Sequence, residues 1–217
     1  EVEAFFKRMG FPFTVGYGMT ECAPIITYDD WKEEKLYSCG KAAPNMEVRI
    51  ASADPVNIPG EIQVKGANVF LGYYKNETAT SEVFTEDGWF RTGDMGVLDE
   101  DGCLFIKGRT KCMILGPSGQ NIYPEEVETV LNSQPYVVDS LVIEDDGGLT
   151  ALIYPDFQQG AKDGMDQRAF LQYIKDQLPE WNKELPNYAR LKKIKVMTED
   201  FERTPKKSIK RYLYQRK

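Results

Sequence analysis

Near the start of the chain, Gly16-Tyr17-Gly18-Met19-Thr20-Glu21 combines residue types that suit a nucleotide phosphate site. Glycines let the backbone approach a ligand closely. Tyr17 and Gly18 offer a flat ring and an open backbone to a planar base. Thr20 offers a hydroxyl donor to a phosphate, and Glu21 a hard oxygen for Mg²⁺. A tight turn running into a helix N-terminus uses the same letters. Trp89-Phe90-Arg91-Thr92-Gly93-Asp94 places a carboxylate after a turn. There it can accept both hydroxyls of a ribose, or simply cap the turn. In Lys107-Gly108-Arg109-Thr110-Lys111, Arg109 is a planar fork suited to phosphate or ribose oxygens; a surface basic cluster is the plainer reading. The last 15 residues hold seven basic side chains and no acidic ones. They read either as a solvated tail or as a loop that stabilises charge developing on an acyl phosphate.

Composition removes several chemistries. The 217 residues include no histidine. Ser-His and Cys-His nucleophiles and histidine metal ligands are therefore excluded. The cysteines, Cys22, Cys39, Cys103 and Cys112, form no C-x-x-C pair, and read as reduced thiols of a cytoplasmic protein. A net charge of -7 argues against nucleic-acid binding. No apolar run reaches the roughly 18 residues of a membrane helix; peripheral membrane contact stays open. The chain opens on Glu1, inside what reads as a helix over 1–10, so a longer natural chain is expected.

The elements that must position these residues come next. Phe13-Thr14-Val15 reads as a short strand feeding a glycine turn. From 40 to 109 short alternating strands, among them 48–50, 61–65 and 103–106, suggest a small β-barrel-like region. After Arg109 the composition changes. Gly116-Pro117-Ser118-Gly119 reads as a flexible loop. Pro124 opens a helix whose buried stripe is Val127, Val130 and Leu131. Strands over 137–143 and 149–154 flank the hairpin turn Asp145-Asp146-Gly147-Gly148. Asp166 caps a helix with Phe170, Leu171, Ile174 and Leu178 on one face, and 191–197 is a last strand. The expected class is α+β. Residues 1–110 would end a large domain, and 111–217 would form a compact second one.

The order and spacing of these segments resemble the adenylate-forming superfamily of acyl-CoA synthetases, luciferases and peptide-synthetase adenylation domains. The stretch from Gly108 through Glu128 looks most like the long-chain fatty-acid–CoA ligase branch. The resemblance implies roles. Tyr17 would stack on adenine, Thr20 would contact the α-phosphate, and Glu21 would bind Mg²⁺. Asp94 would hold the ribose hydroxyls, with Arg109 reaching ribose and phosphate. Lys111 would be the hinge of a mobile C-terminal domain, and Gly119 would line the pantetheine channel. The implied substrates are a carboxylic acid, ATP and CoA, joined through an acyl-AMP. The chain departs from the pattern twice. The phosphate loop ending in Pro-Lys is absent, so the 217 residues alone are expected to be inactive. The family's Thr-Gly-Lys triplet before Ile-x-Arg reads Lys206-Lys207-Ser208 here. Ser208 thus takes the lysine position, with Lys207 and Lys210 as the candidate substitutes. Two rival readings keep the fold: an adenylation domain loading a carrier protein, and a non-catalytic homologue that binds acyl-adenylate or a protein partner.

Overall fold

The computed structural model describes residues 2–116 and 119–215. Pro117 and Ser118 of the expected flexible loop lie outside them, as do Glu1, Arg216 and Lys217. The chain divides into two compact units, Glu1–Lys111 and Cys112–Lys217.

The first unit runs α1 (Val2–Arg8), β1 (Tyr17–Gly18), β2 (Ile25–Tyr28), β3 (Lys41–Ala42), β4 (Met46–Ala51), β5 (Gly60–Gly66), α2 (Glu77–Val83), β6 (Phe90–Leu98) and β7 (Leu104–Arg109). Strands β1–β3 form one small sheet; β4–β7 form an antiparallel meander. The strand-rich region is thus an open four-stranded sheet. Its core gathers Ile26, Ile50, Ile62, Val64, Phe90 and Leu104 together with Tyr17 and Cys22. The expected strand at 13–15 does not form. The Val15 N–H is taken by the Glu34 carboxylate at 2.6 Å, and the strand begins only at Tyr17, where Thr27 is its partner.

The second unit runs β8 (Ile114–Leu115), β9 (Asn121–Ile122), α3 (Pro124–Asn132), β10 (Val137–Asp145), β11 (Gly148–Pro155), α4 (Phe157–Lys162), α5 (Gln167–Asp176), α6 (Leu178–Glu184) and β12 (Leu191–Val196). Pro124 sits in the first turn of α3, where a missing N–H costs nothing. The β10–β11 turn has Asp146 at φ 51° and Gly147 at 69°, the geometry whose twist matches a right-handed hairpin. Asp166 caps α5 by accepting the Ala169 N–H at 2.9 Å. Leu178 does not extend α5; it starts α6.

Alternation along the sheet gives it two buried faces. Val142, Ala151 and Ile153 pack in the core with Val127, Leu131, Phe170, Ile174 and Trp181. Leu141, Ile143 and Leu152 pack instead with Phe201, Ile209 and Tyr214 of the C-terminal segment. That segment is therefore part of the fold, not a solvated tail. The α+β class is the one expected. Among the described residues no helix is long and apolar enough to cross a membrane.

Candidate functional site

In the first unit the structure brings three of the expected residues together. Asp94 lies inside β6 and not after a turn; its partner across the ladder is Arg109, the last residue of β7. The Arg109 Nε lies 3.1 Å from the Asp94 Oδ1. The Tyr17 hydroxyl donates to the Asp94 Oδ2 at 2.7 Å. One carboxylate is thus held on both oxygens from two directions. Gly93, at φ 75°, supplies the backbone kink that precedes it. Thr92 completes the arrangement: its hydroxyl donates to the Ile62 carbonyl at 2.8 Å and accepts the Asp94 N–H at 3.1 Å. Thr92 stood in the motif without a role.

Asp94 is only 8% exposed, while the Arg109 side chain is 69% exposed. The cation therefore reaches into solvent from a buried acid. Burial, with the Asp94 charge behind it, pushes the Tyr17 hydroxyl far above its ordinary range. Tyr17 stays a donor at any physiological pH. A carboxylate offers about four lone-pair positions. Two are used, and the remainder can accept a vicinal diol.

Gly18 occupies a position with no room for a side chain. A Cβ there would sit 2.0 Å from the Pro24 carbonyl oxygen. Thr20 and Glu21 follow in a single 3₁₀ turn, Thr20–Cys22. The Glu21 carboxylate accepts the Tyr73 hydroxyl at 3.1 Å, and its carbonyl accepts the Phe70 N–H at 2.8 Å. Asn68 donates to the Cys22 carbonyl at 2.6 Å. The loop after β5 therefore fixes the Glu21 turn, a contact 52 residues away in sequence that no local pattern reveals. Among the described residues no group of three or more acidic or cysteine side chains could cage a metal. Mg²⁺ commonly uses one or two carboxylates plus phosphate oxygens, and Glu21 fits that smaller role.

The remaining candidates lie in or beside the second unit. Lys111 is exposed in the 3₁₀ turn Thr110–Cys112, the last residue of the first unit. Gly119, at φ 78° with open space around it, sits at the β8–β9 turn and donates to the Gly116 carbonyl. Lys207 lies in a hairpin closed by an Arg203–Ile209 bridge, and Lys210 follows just beyond it, its N–H donating to the Glu202 carbonyl. Lys207 has φ 65° and, among the described residues, its ammonium makes no ion pair. The Lys210 ammonium lies 3.2 Å from the Glu202 carboxylate.

A buried carboxylate is thus flanked by a phenol and a guanidinium in an α+β protein whose glycine-rich turn carries a single acid. Residues 1–74 match the AMP-binding enzyme family and residues 113–217 its C-terminal domain. The chain belongs to the AMP-binding enzyme family and spans less than half the length of the relatives it matches. It is 38% identical over 141 residues to the long-chain-fatty-acid–CoA ligase FadD15 of Mycobacterium tuberculosis, covering 65% of this chain and 22% of that protein. It is 42% identical over 139 residues to the 2-succinylbenzoate–CoA ligase of Bacillus subtilis, covering 62% and 28%. Among solved structures, the Bacillus subtilis o-succinylbenzoate CoA synthetase with ATP and a magnesium ion superposes with a TM-score of 0.81 at 31% identity. That match spans 97% of this chain and 43% of the other.

Proposed function

We propose that the chain is the nucleotide-holding and C-terminal portion of a cytoplasmic AMP-forming long-chain fatty-acid–CoA ligase. The observation that carries this reading is the Tyr17–Asp94–Arg109 constellation, in a family whose relatives are CoA ligases. Asp94 accepts the ribose hydroxyls. Tyr17 orients Asp94 through its hydroxyl, and its ring, beside Gly18, is the group assigned to stack on adenine. Arg109 reaches past Asp94 to ribose and phosphate oxygens. Thr20 donates to the α-phosphate, and Glu21 is held by Tyr73 as a metal-binding carboxylate. Mg²⁺ would neutralise phosphate charge there.

The fatty-acid carboxylate oxygen bonds to the α-phosphorus and the bond to pyrophosphate breaks, giving acyl-AMP. The CoA sulfur then bonds to the acyl carbon and AMP leaves. Both steps build negative charge on oxygen, so positioned cations carry the catalysis. With Ser208 at the family's lysine position, the first step takes its cation from a neighbour. Lys207 suits it best, because among the described residues its ammonium makes no ion pair, while Lys210 is paired with Glu202. Its conformation agrees with that register: Lys207 has the left-handed φ that the family's glycine would adopt. Lys111 serves as the joint between the two half-reactions, and Gly119 lines the path of the pantetheine arm.

A second reading changes only the acid. The 42% identity to a 2-succinylbenzoate ligase favours an aromatic carboxylate. Pyrophosphate release by the complete protein, offered palmitate, 2-succinylbenzoate and isobutyrate in turn with ATP, Mg²⁺ and CoA, separates the two. Preference for palmitate is expected. Preference for the aromatic acid overturns the chain-length assignment and leaves the ligase reading standing.

A further inference from the structure

The segment after β12 carries the basic residues, and two arginines lock it to the sheet. Arg203 donates to the Asp139 carboxylate of β10 at 2.8 Å and to the Lys207 carbonyl at 3.3 Å. Arg211 enters a buried pair with Glu128 of α3. The other Glu128 oxygen accepts the Val142 N–H of β10 at 2.6 Å. Arg211 also approaches the Val142 carbonyl at 3.5 Å and the Glu125 carboxylate at 3.7 Å. Only 11% of the Glu128 side chain and 17% of the Arg211 side chain are exposed.

This pair stands out energetically. Replacing a buried ion pair with apolar residues of similar size is often neutral or stabilising. Apolar anchoring is already present, because Phe201, Ile209 and Tyr214 pack on Leu141, Ile143 and Leu152. Such contacts are non-directional. A carboxylate fixed on a strand N–H and gripping a guanidinium is directional. Arg211 lies two residues beyond Ile209, whose bridge to Arg203 closes the hairpin. Within that hairpin Thr204 and Ser208 face each other, the Thr204 N–H donating to the Ser208 carbonyl at 2.8 Å. The tip between them is Pro205-Lys206-Lys207.

We propose that Glu128 is the positioning residue of this hairpin: through Arg211 it fixes where the tip holds its lysines while acyl-AMP forms. The proposal rests on the reading above, in which the hairpin supplies the cation for that step. Glu128 touches no substrate; it acts through Arg211 and the backbone between Arg211 and the tip. Its loss therefore slows acyl-AMP formation and spares the thioester step, which does not call on the tip lysines.

The test uses the complete protein and four variants: Glu128→Gln, Glu128→Asp, Arg211→Lys and the double change Lys207→Met with Lys210→Met. Three quantities are read for each: acyl-AMP formation from palmitate and ATP without CoA, thioester formation from supplied acyl-AMP, and Tm. Glu128→Gln is expected to lower kcat for acyl-AMP formation by at least about tenfold, with KM for ATP and the thioester step essentially unchanged. Glu128→Asp keeps the charge and should recover part of the loss; it also serves if the Gln variant does not fold. Arg211→Lys, which removes the planar fork, should resemble Glu128→Gln. Equal losses in both half-reactions that follow Tm, or no loss in either, would overturn the proposal. The double lysine variant tests the reading beneath it. If that variant forms acyl-AMP at the normal rate, neither Lys207 nor Lys210 is the source of the cation, and the reading beneath the proposal fails. If it loses acyl-AMP formation while Glu128→Gln does not, only the positioning role fails.

Discussion

Tyr17 shows how one side chain can serve a site through another. Its hydroxyl, kept protonated by burial, donates to Asp94 at 2.7 Å. Tyr17→Phe keeps the ring and removes that one bond. Hydrogen bonds to charged groups are worth about 1.5–3 kcal/mol, so kcat/KM for ATP in the complete protein should fall by roughly tenfold or more. Unchanged ATP kinetics would show that Arg109 alone orients the carboxylate. Glu128 makes a second prediction at this scale. Burial outweighs Arg211 and the Val142 N–H and pushes its carboxyl up to about 7 from an ordinary 4.5. Between these values the folded unit holds more protons than the unfolded chain, so this group's contribution to stability falls as pH rises from about 4.5 to about 7. The Glu128 carboxyl resonance, followed by NMR, should titrate near 7; an inflection below 5 would contradict the balance of forces described here.

At the scale of elements, the C-terminal hairpin carries a lysine where the backbone favours glycine. Lys207 has φ 65°, and a side chain in the left-handed region costs roughly 1–2 kcal/mol. Strained residues of this kind cluster at functional sites. Lys207→Gly should therefore raise the stability of the second unit by about 0.5–1 kcal/mol while slowing acyl-AMP formation. Paired denaturation and half-reaction measurements check it. Lower stability, or a full rate, would make Lys207 an ordinary turn residue.

Where local chemistry dominates, the elements were legible from sequence. Pro124 at the start of α3, Asp166 as a cap, and the Asp146-Gly147 turn each carry their own instruction. Phe13-Thr14-Val15 looked like a strand because its letters are apolar, but its backbone found Glu34 instead of a ladder. Helices α4 and α6 went unread, since six- and seven-residue helices span fewer than two turns, too few to repeat an apolar stripe. Part of the candidate site was legible as well: Tyr17, Asp94 and Arg109 were named from their motifs and the family resemblance, and the structure brings the three together. Tyr73, Thr92 and Glu128 were not given roles, because their partners lie 52, 30 and 83 residues away in sequence.

For the whole molecule the claim is that two units share one reaction in sequence. The division falls between Lys111 and Cys112, and a joint that moves must absorb large φ/ψ changes. Proline fixes φ near −65°. Lys111→Pro in the complete protein should spare one half-reaction and slow the other by at least about tenfold, or roughly 1.4 kcal/mol. Equal effects would mean that residue 111 is an ordinary linker.

The central claim is that Asp94 holds the ribose of ATP for acyl-AMP formation. Its most direct test is ATP-dependent pyrophosphate release by the complete protein with palmitate and Mg²⁺, compared between the wild type and Asp94→Ala. The wild type is expected to release pyrophosphate, and the variant to lose about 1.5–3 kcal/mol in kcat/KM for ATP, of the same size whichever acid is offered. No pyrophosphate from the wild type, or unaltered ATP kinetics in Asp94→Ala, would contradict it.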